Sequence, residues 1–232
     1  MIKLEQLTLA WRKAKVDLYY STNPPLFEIA DYETDLLANL QSLQSRLNDE
    51  SEAWVTDAAF LGTWTLAPKA IHYHQDHKSV DSAPKDTTLI FADPAEEWAS
   101  MAVAPAKPPT AEFRLMSRCS IDFHVLSSLW MLEVGHKFDK PLGDNVYGSR
   151  LRRNKKGEIN KMALGSFKPY LKPFRDWRDG AIKAMRSALD DKKRVIALTA
   201  DVSSFYHELN PGFMSDPSFL ELAEVVLSEP EE

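Results

Sequence analysis

Two stretches of this 232-residue chain carry side chains at spacings that could do chemistry. In the first, VIALTADVSSFYHELNP, an apolar run over residues 195–200 ends on Asp201 and turns through two serines into Phe205 and Tyr206. A carboxylate delivered at the carboxyl end of a buried strand can hold a hard cation such as magnesium at the mouth of a cleft, because such ions take carboxylate, carbonyl and phosphate oxygens. The same aspartate could instead cap the turn that follows a core strand. In the second stretch, His72-Tyr73-His74-Gln75-Asp76-His77, three histidines and a carboxylate stand at a spacing able to ligate two zinc ions. A solvated, histidine-rich loop reads the same way. Cys119 is the single cysteine, so it closes no internal disulfide and lacks the companions of a thiolate metal site.

Those residues need elements to position them, and hydrophobic periodicity supplies several. Leu4, Leu7, Trp11, Ala14 and Leu18 recur at helical spacing and predict an amphipathic helix that Asn23-Pro24-Pro25 ends. A second helix is expected from about Asp31, with Leu36, Leu37, Leu40, Leu43 and Leu47 as its stripe. Short strands or buried loops are expected over 58–66 and 87–92, and the APAKPP run at 104–109 reads as a linker. From Asp122, DFHVLSSLWMLEVG predicts a helix with that aspartate as N-cap and Gly135 as its end. Gly148, Asn154 and Gly157 mark turns of an expected hairpin. A further helix is expected from about Asp176 to Lys192, burying Trp177, Ala181, Ala184, Met185, Ala188 and Leu189, and VIALTA then reads as a buried central strand.

With 44% hydrophobic residues the chain can bury one substantial core or two small ones. No apolar stretch approaches membrane-spanning length, and the charged start MIKLEQLTLAWRKAK lacks the apolar block of a secretory signal. A cytoplasmic protein without membrane contact is therefore expected.

The net charge of -6 hides a division along the chain. Residues 137–194 hold 17 Lys or Arg against 7 Asp or Glu, whereas the remainder holds 11 against 27. A block of charge +10 inside an acidic chain points to a polyanionic partner or to a solvated loop that offsets its neighbours. Within the block, Tyr147, Phe167, Tyr170, Phe174 and Trp177 could stack on bases while cations track phosphates, or could pack beneath the hairpin.

The stretch after VIALTA resembles the first palm motif of reverse transcriptases, an aspartate followed a few residues later by an aromatic. Together, SIDFHVLSSLWMLEVG, NVYGSRLRRN, SFKPYLKPFRDWRDGAIKAM and DVSSFYHELNP resemble, in this order over roughly residues 115–215, the bacterial defence-associated reverse transcriptases related to abortive-infection proteins. The resemblance implies basic fingers over 111–194 and the start of a right-hand polymerase palm over 195–232; with the helical amino-terminal region and its short strands expected over 1–110, the fold class is α+β. It implies magnesium held by Asp201 with help from the Val202 carbonyl, and Tyr206 closing on the sugar of an incoming dNTP. Lys168-Pro169 resembles the basic-proline pair of the fingers, which implies that Lys168, Lys172, Arg175 and Arg178 contact triphosphate or template. Arg150, Arg152, Arg153 and Tyr170 are the expected contacts to an RNA or DNA template-primer.

The family's second palm motif, an aromatic-x-Asp-Asp turn, occurs nowhere in the chain, and Asp190-Asp191 precedes Asp201. The expectation is thus the amino-terminal portion of an RNA-directed DNA polymerase of the antiviral-defence type, inactive alone: a fragment, the product of an interrupted gene, or one half of a split enzyme whose second chain carries the rest of the palm and the thumb. Two alternatives stand beside it. One is a zinc hydrolase, since His72, His74, Asp76 and His77 match the H-x-H-x-D-H pattern of metallo-β-lactamase-like enzymes, although the LAPKAI before them is a weak strand signal. The other is a non-catalytic nucleic-acid-binding remnant.

Overall fold

The helical spacing at the start of the chain produces α1, Leu4–Tyr19, which turns Leu7, Ala10, Trp11, Ala14 and Leu18 inward. The computed structural model describes residues 1–21, 24–49, 51, 53–72, 110–202, 205–228 and 231. Where one helix is expected from Asp31, there are two, α2 (Leu26–Thr34) and α3 (Leu36–Leu47), because Asp35 leaves helical geometry at φ -125° and ψ 42°. Leu40 and Leu43 of the leucine stripe are buried, while Leu37 is exposed. A short helix, α4 (Ala58–Leu61), follows where a strand or buried loop is expected.

Helix α5, Ile121–Trp130, is capped by Ser120, whose Oγ accepts from the Phe123 N–H at 3.2 Å. Asp122, the expected cap, has another task in the first turn. It accepts the Tyr32 hydroxyl at 2.7 Å and pairs with Arg46 at 3.3 Å, tying α2 and α3 to α5. Burial first, and then this bond to a carboxylate, push the Tyr32 hydroxyl pKa upward. Gly135 does not end the helix. A π-helical turn, Met131–Gly135, carries the chain into α6, His136–Asp139. A Cβ at Gly135 would lie 2.8 Å from Met131 Sδ and 2.9 Å from the Trp130 ring, so the absent side chain lets the turn close. Leu7, Trp11, Leu43, Val125, Leu129 and Leu132 meet in the core between α1, α3, α5 and the π turn. Each such side chain contributes about 1.5–3 kcal/mol when fully buried.

The basic block begins by folding onto this core. Residues 150–153 pair on both sides, with bridges Leu151↔Phe167 and Arg153↔Ile159 and backbone bonds from Arg152 N to Ser166 O and from Asn160 N to Arg152 O, both 2.9 Å. The turn at Asn154–Glu158 closes on Gly157, whose φ of 80° favours glycine. Lys13 of α1 enters from below. Only 2% exposed, its Nζ donates to the carbonyls of Asn160, Ala163 and Gly165 and so gathers the loop into one shape.

Helix α7, Leu171–Asp190, starts five residues before the expected Asp176. Pro173 allows this because the first turn of a helix needs no N–H partner there. No residue of α7 is buried, so the expected inward face of Trp177 and its neighbours is open. VIALTA is likewise no strand: Ile196 is 96% and Leu198 89% exposed, and nothing among the described residues pairs with its backbone. A run of six apolar residues becomes a strand only when a neighbour supplies the ladder. Two short helices follow, α8 (Phe205–Glu208) and α9 (Pro217–Leu222), with Phe219 of α9 stacked 6.1 Å from Phe138.

The chain forms two compact units, one of Met1–Phe60 with Ser120–Glu232 and one of Leu61–Cys119. The second unit contains β1 (Thr63–His72) and β2 (Thr110–Arg118), antiparallel from Thr63↔Arg118 to His72↔Thr110 with an irregularity between Pro68 and Ala70. A Cβ at Gly62, where φ is 81°, would collide with the Arg118 carbonyl at 2.0 Å. The expected boundary at 110/111 falls at the first residues of β2, inside the second unit, and the expected strand at 87–92 and the APAKPP linker lie outside the described residues. The described chain is thus α+β, mostly helical with a two-stranded sheet. Among the described residues no helix is long and apolar enough to cross a membrane.

Candidate nucleic-acid interface

The arginines of the basic block divide by what already holds them. Asp139, at the end of α6, is a buried hub: its Oδ1 accepts from Arg150 Nε at 2.9 Å and from the Leu151 N–H at 3.1 Å, and its Oδ2 accepts from Arg153 Nη2 at 2.9 Å. Burial alone would raise the Asp139 pKa, but the Leu151 N–H and the two guanidinium groups outweigh it and hold the carboxyl below its ordinary value. Arg150 also donates to the carbonyls of Asp139, Leu142, Gly143 and Val146, and Arg153 to those of His136 and Gly157. Both guanidinium groups are thus committed to internal carbonyls and carboxylate. Arg152 is different. Its Nε donates to the Phe167 carbonyl at 2.6 Å, and its outer nitrogens have no partner among the described residues.

Arg152 opens onto a cavity of about 1010 Å³ where the end of α1, helix α2 and the loop 164–171 converge. Three of the residues expected to contact template-primer or triphosphate, Arg152, Lys168 and Tyr170, line this one cavity. The Lys168 amine has no partner among the described residues, and its backbone N–H is fixed on the Arg150 carbonyl at 2.8 Å. The opposite wall comes from Tyr19, Tyr20, Leu26 and Ile29, which the sequence did not single out. Two tyrosines in succession at a helix end, just before Asn23-Pro24-Pro25, were the available signal.

The remaining expected contacts lie elsewhere. Lys172, Arg175 and Arg178 ride on the exposed helix α7, where Lys172 pairs with Asp176 and Arg178 with Asp179 at 2.8 Å. The Arg178–Asp179 pair raises the pKa of the arginine and lowers that of the aspartate through their mutual hydrogen bond. Asp201 and Val202 are exposed in a segment without regular structure. Tyr206 falls in α8, and its side chain is outside the described residues.

No group of three or more His, Cys, Asp or Glu side chains able to hold a metal ion occurs among the described residues. Asp201 with the Val202 carbonyl is therefore too small a donor set there for a two-magnesium centre, which needs several oxygen ligands. Of the zinc pattern, His74, Asp76 and His77 lie outside the described residues, and His72 is the last residue of β1. LAPKAI does belong to that strand, but within a two-stranded ladder whose Leu66 is exposed.

Compared with protein-family models, with curated proteins and with solved structures, the chain has no match. The functional reading therefore rests on these side chains and on where the fold puts them.

Proposed function

We propose that the chain is the fingers and early-palm portion of a right-hand polymerase of the reverse-transcriptase type, and that its own task is to hold an RNA or DNA template-primer. The observation that carries this reading is the convergence of Arg152, Lys168 and Tyr170 on one aromatic-walled cavity. The ordered sequence pieces over 115–215 and the position of Asp201 at the end of VIALTA support it further.

In this reading the described residues bind and orient, but they do not complete the chemistry. Magnesium, when bound, supplies charge stabilisation for in-line transfer of a deoxynucleotide to a 3′ hydroxyl. Asp201 contributes one carboxylate toward it, and other carboxylates come from outside the described residues. VIALTA becomes a palm strand when a neighbouring strand pairs with it, which would fix Asp201 at the rim of the cleft.

Primer extension with a labelled template-primer, dNTPs and magnesium tests the reading. The chain alone is expected to add no nucleotide. Adding a chain that carries an aromatic-x-Asp-Asp turn with its palm and thumb restores extension, and Asp201→Ala abolishes the restored activity. Restored extension that is indifferent to Asp201→Ala overturns the proposal, as does extension by the lone chain.

A further inference from the structure

Tyr170 stands between two cavities and lines both. On one side is the 1010 Å³ cavity with Tyr19 and Tyr20; on the other is a depression of about 540 Å³ lined by Tyr147, Phe174 and Trp177. The Tyr170 ring is 68% exposed, so it does not serve as core packing. It stacks on Phe174 at 5.5 Å between centroids and 27° between planes, and Phe174 meets Trp177 at 5.9 Å. The Arg178 guanidinium lies 6.0 Å from the Phe174 ring. Tyr147 belongs to the same cluster, its hydroxyl 3.9 Å from the position a Cβ on Gly180 would take.

Three cations, Lys15, Arg152 and Lys168, line the larger cavity against two carboxylates, Asp17 and Glu33. Both carboxylates in the wall of the larger cavity are engaged: Asp17 accepts the Ser166 N–H at 3.0 Å, and Glu33 holds Lys15 at 2.6 Å. Arg152 and Lys168 have no such counterpart. Aromatic faces left open beside uncommitted cations suit a ligand that alternates flat rings with anionic groups. Bases stack on such faces whatever their sequence, and phosphates take the cations. Each cavity also has the size of a site for a small ring system, since ligand pockets run from about 300 to 1,000 Å³.

We infer that a single-stranded nucleic acid crosses this face with Tyr170 between two neighbouring bases. One base lodges in the larger cavity against Tyr19 and Tyr20, the next lies along Phe174 and Trp177, and the phosphate between them rests on Lys168 and Arg152. The inference rests on the nucleic-acid reading above. It extends that reading to α1, which lies outside the stretch that carries the family resemblance.

Fluorescence anisotropy with labelled single-stranded RNA and DNA oligomers, across a salt series, tests the track on the full chain. Tyr170→Leu keeps apolar bulk but removes the stacking face, and is expected to weaken binding about 5- to 150-fold without changing the salt slope. Tyr20→Ala acts in the same direction from the opposite wall. Lys168→Ala flattens the slope by about 0.7 log unit per log unit of salt, the signature of one lost phosphate contact. Unfolding midpoints within error of the parent chain exclude a folding defect.

Several results overturn the inference: no single-strand binding at low salt, a duplex or mononucleotide bound as tightly as the oligomer, or full affinity in Tyr170→Leu and Tyr20→Ala. A shift in self-association of those variants, without a shift in oligomer affinity, makes the face a protein contact and overturns it as well. Asp201→Ala separates the two proposals, since it should leave oligomer binding unchanged. Binding that follows Tyr170, with extension indifferent to Asp201, removes the polymerase reading alone. Asp201-dependent extension with no role for Tyr170 removes the track alone.

Discussion

Trp11 and Trp177 sit on helices with comparable amphipathic patterns, yet Trp11 is 3% exposed and Trp177 is 52% exposed. Trp11 is covered by Tyr32, 5.1 Å away between centroids, and by the leucines of α3 and α5. Among the described residues the ring contact of Trp177 is with Phe174 of its own helix, and Trp177 borders an open depression. The difference lies in what surrounds each helix. An apolar stripe reports that a face favours cover, and the cover comes from other elements. In the first region α1, α3, α5 and the 150–168 loop supply it to one another. In the second, α7 buries no residue and the apolar side chains of Trp177, Leu189, Ile196 and Leu198 stay exposed.

The comparison breaks most readily at Asp139, the residue that locks the basic loop to the covered region. Asp139→Ala strands Arg150 and Arg153, which are largely buried, without their carboxylate. Losing one partner of a buried pair costs about 3–5 kcal/mol. Urea unfolding should show that loss as a lower midpoint at unchanged slope. The pH dependence has a definite sign. Because the folded Asp139 carboxyl is held below its ordinary value, its contribution is complete above that value and is lost as pH falls through the folded pKa. The gap between the parent chain and Asp139→Asn should therefore narrow on acidification below about pH 4. A loss under about 1 kcal/mol at neutral pH would place Arg150 and Arg153 among the mobile surface cations instead.

Lys13→Met is the next step down. It keeps the length and apolar stem of the lysine but leaves the Asn160, Ala163 and Gly165 carbonyls without their donor. Orphaned buried acceptors cost about 1–3 kcal/mol. Hydrogen exchange should localise the effect, with faster exchange at the backbone amides of 160–166 and little change in α5. Uniform acceleration across the whole unit would mean that Lys13 supports the core rather than the loop.

What the sequence disclosed follows the range over which each signal acts. The stripe of α1 was legible because Leu7, Trp11, Ala14 and Leu18 lie within one helix and define its face alone. Lys13 was not, since its three carbonyls lie 147, 150 and 152 residues away and a lysine in the run Arg12-Lys13-Ala14-Lys15 reads as solvated. Asp122 looked like a cap, but Ser120, with φ -63° and ψ 160°, took the cap and freed the aspartate for Tyr32. Of the arginines in SRLRRN, charge alone could not separate Arg152 from its neighbours. The distant Asp139 did so, by pairing with Arg150 and Arg153 and leaving Arg152 at the cavity. The fate of VIALTA was not legible either, because strand formation depends on a partner strand that local periodicity does not contain.

The smallest expected effect is also the most pointed, because it concerns the open region directly. Trp177→Ala removes a large ring, and a fully covered tryptophan such as Trp11 costs about 3–5 kcal/mol when truncated in this way. A half-exposed ring on a helix with no buried residue should behave as a surface position, within about 0.5 kcal/mol of the parent. Urea unfolding of Trp11→Ala and Trp177→Ala side by side, at low and at high protein concentration, checks both sides of the comparison. If Trp177→Ala is mild at every concentration, α7 stands uncovered in the free chain and its ring remains available to the nucleic-acid track. If its cost grows with concentration toward that of Trp11→Ala, a second copy of the chain covers α7 in solution, since only association makes stability depend on concentration. The open face would then be an interface, and the contrast between the two tryptophans would belong to the isolated chain alone.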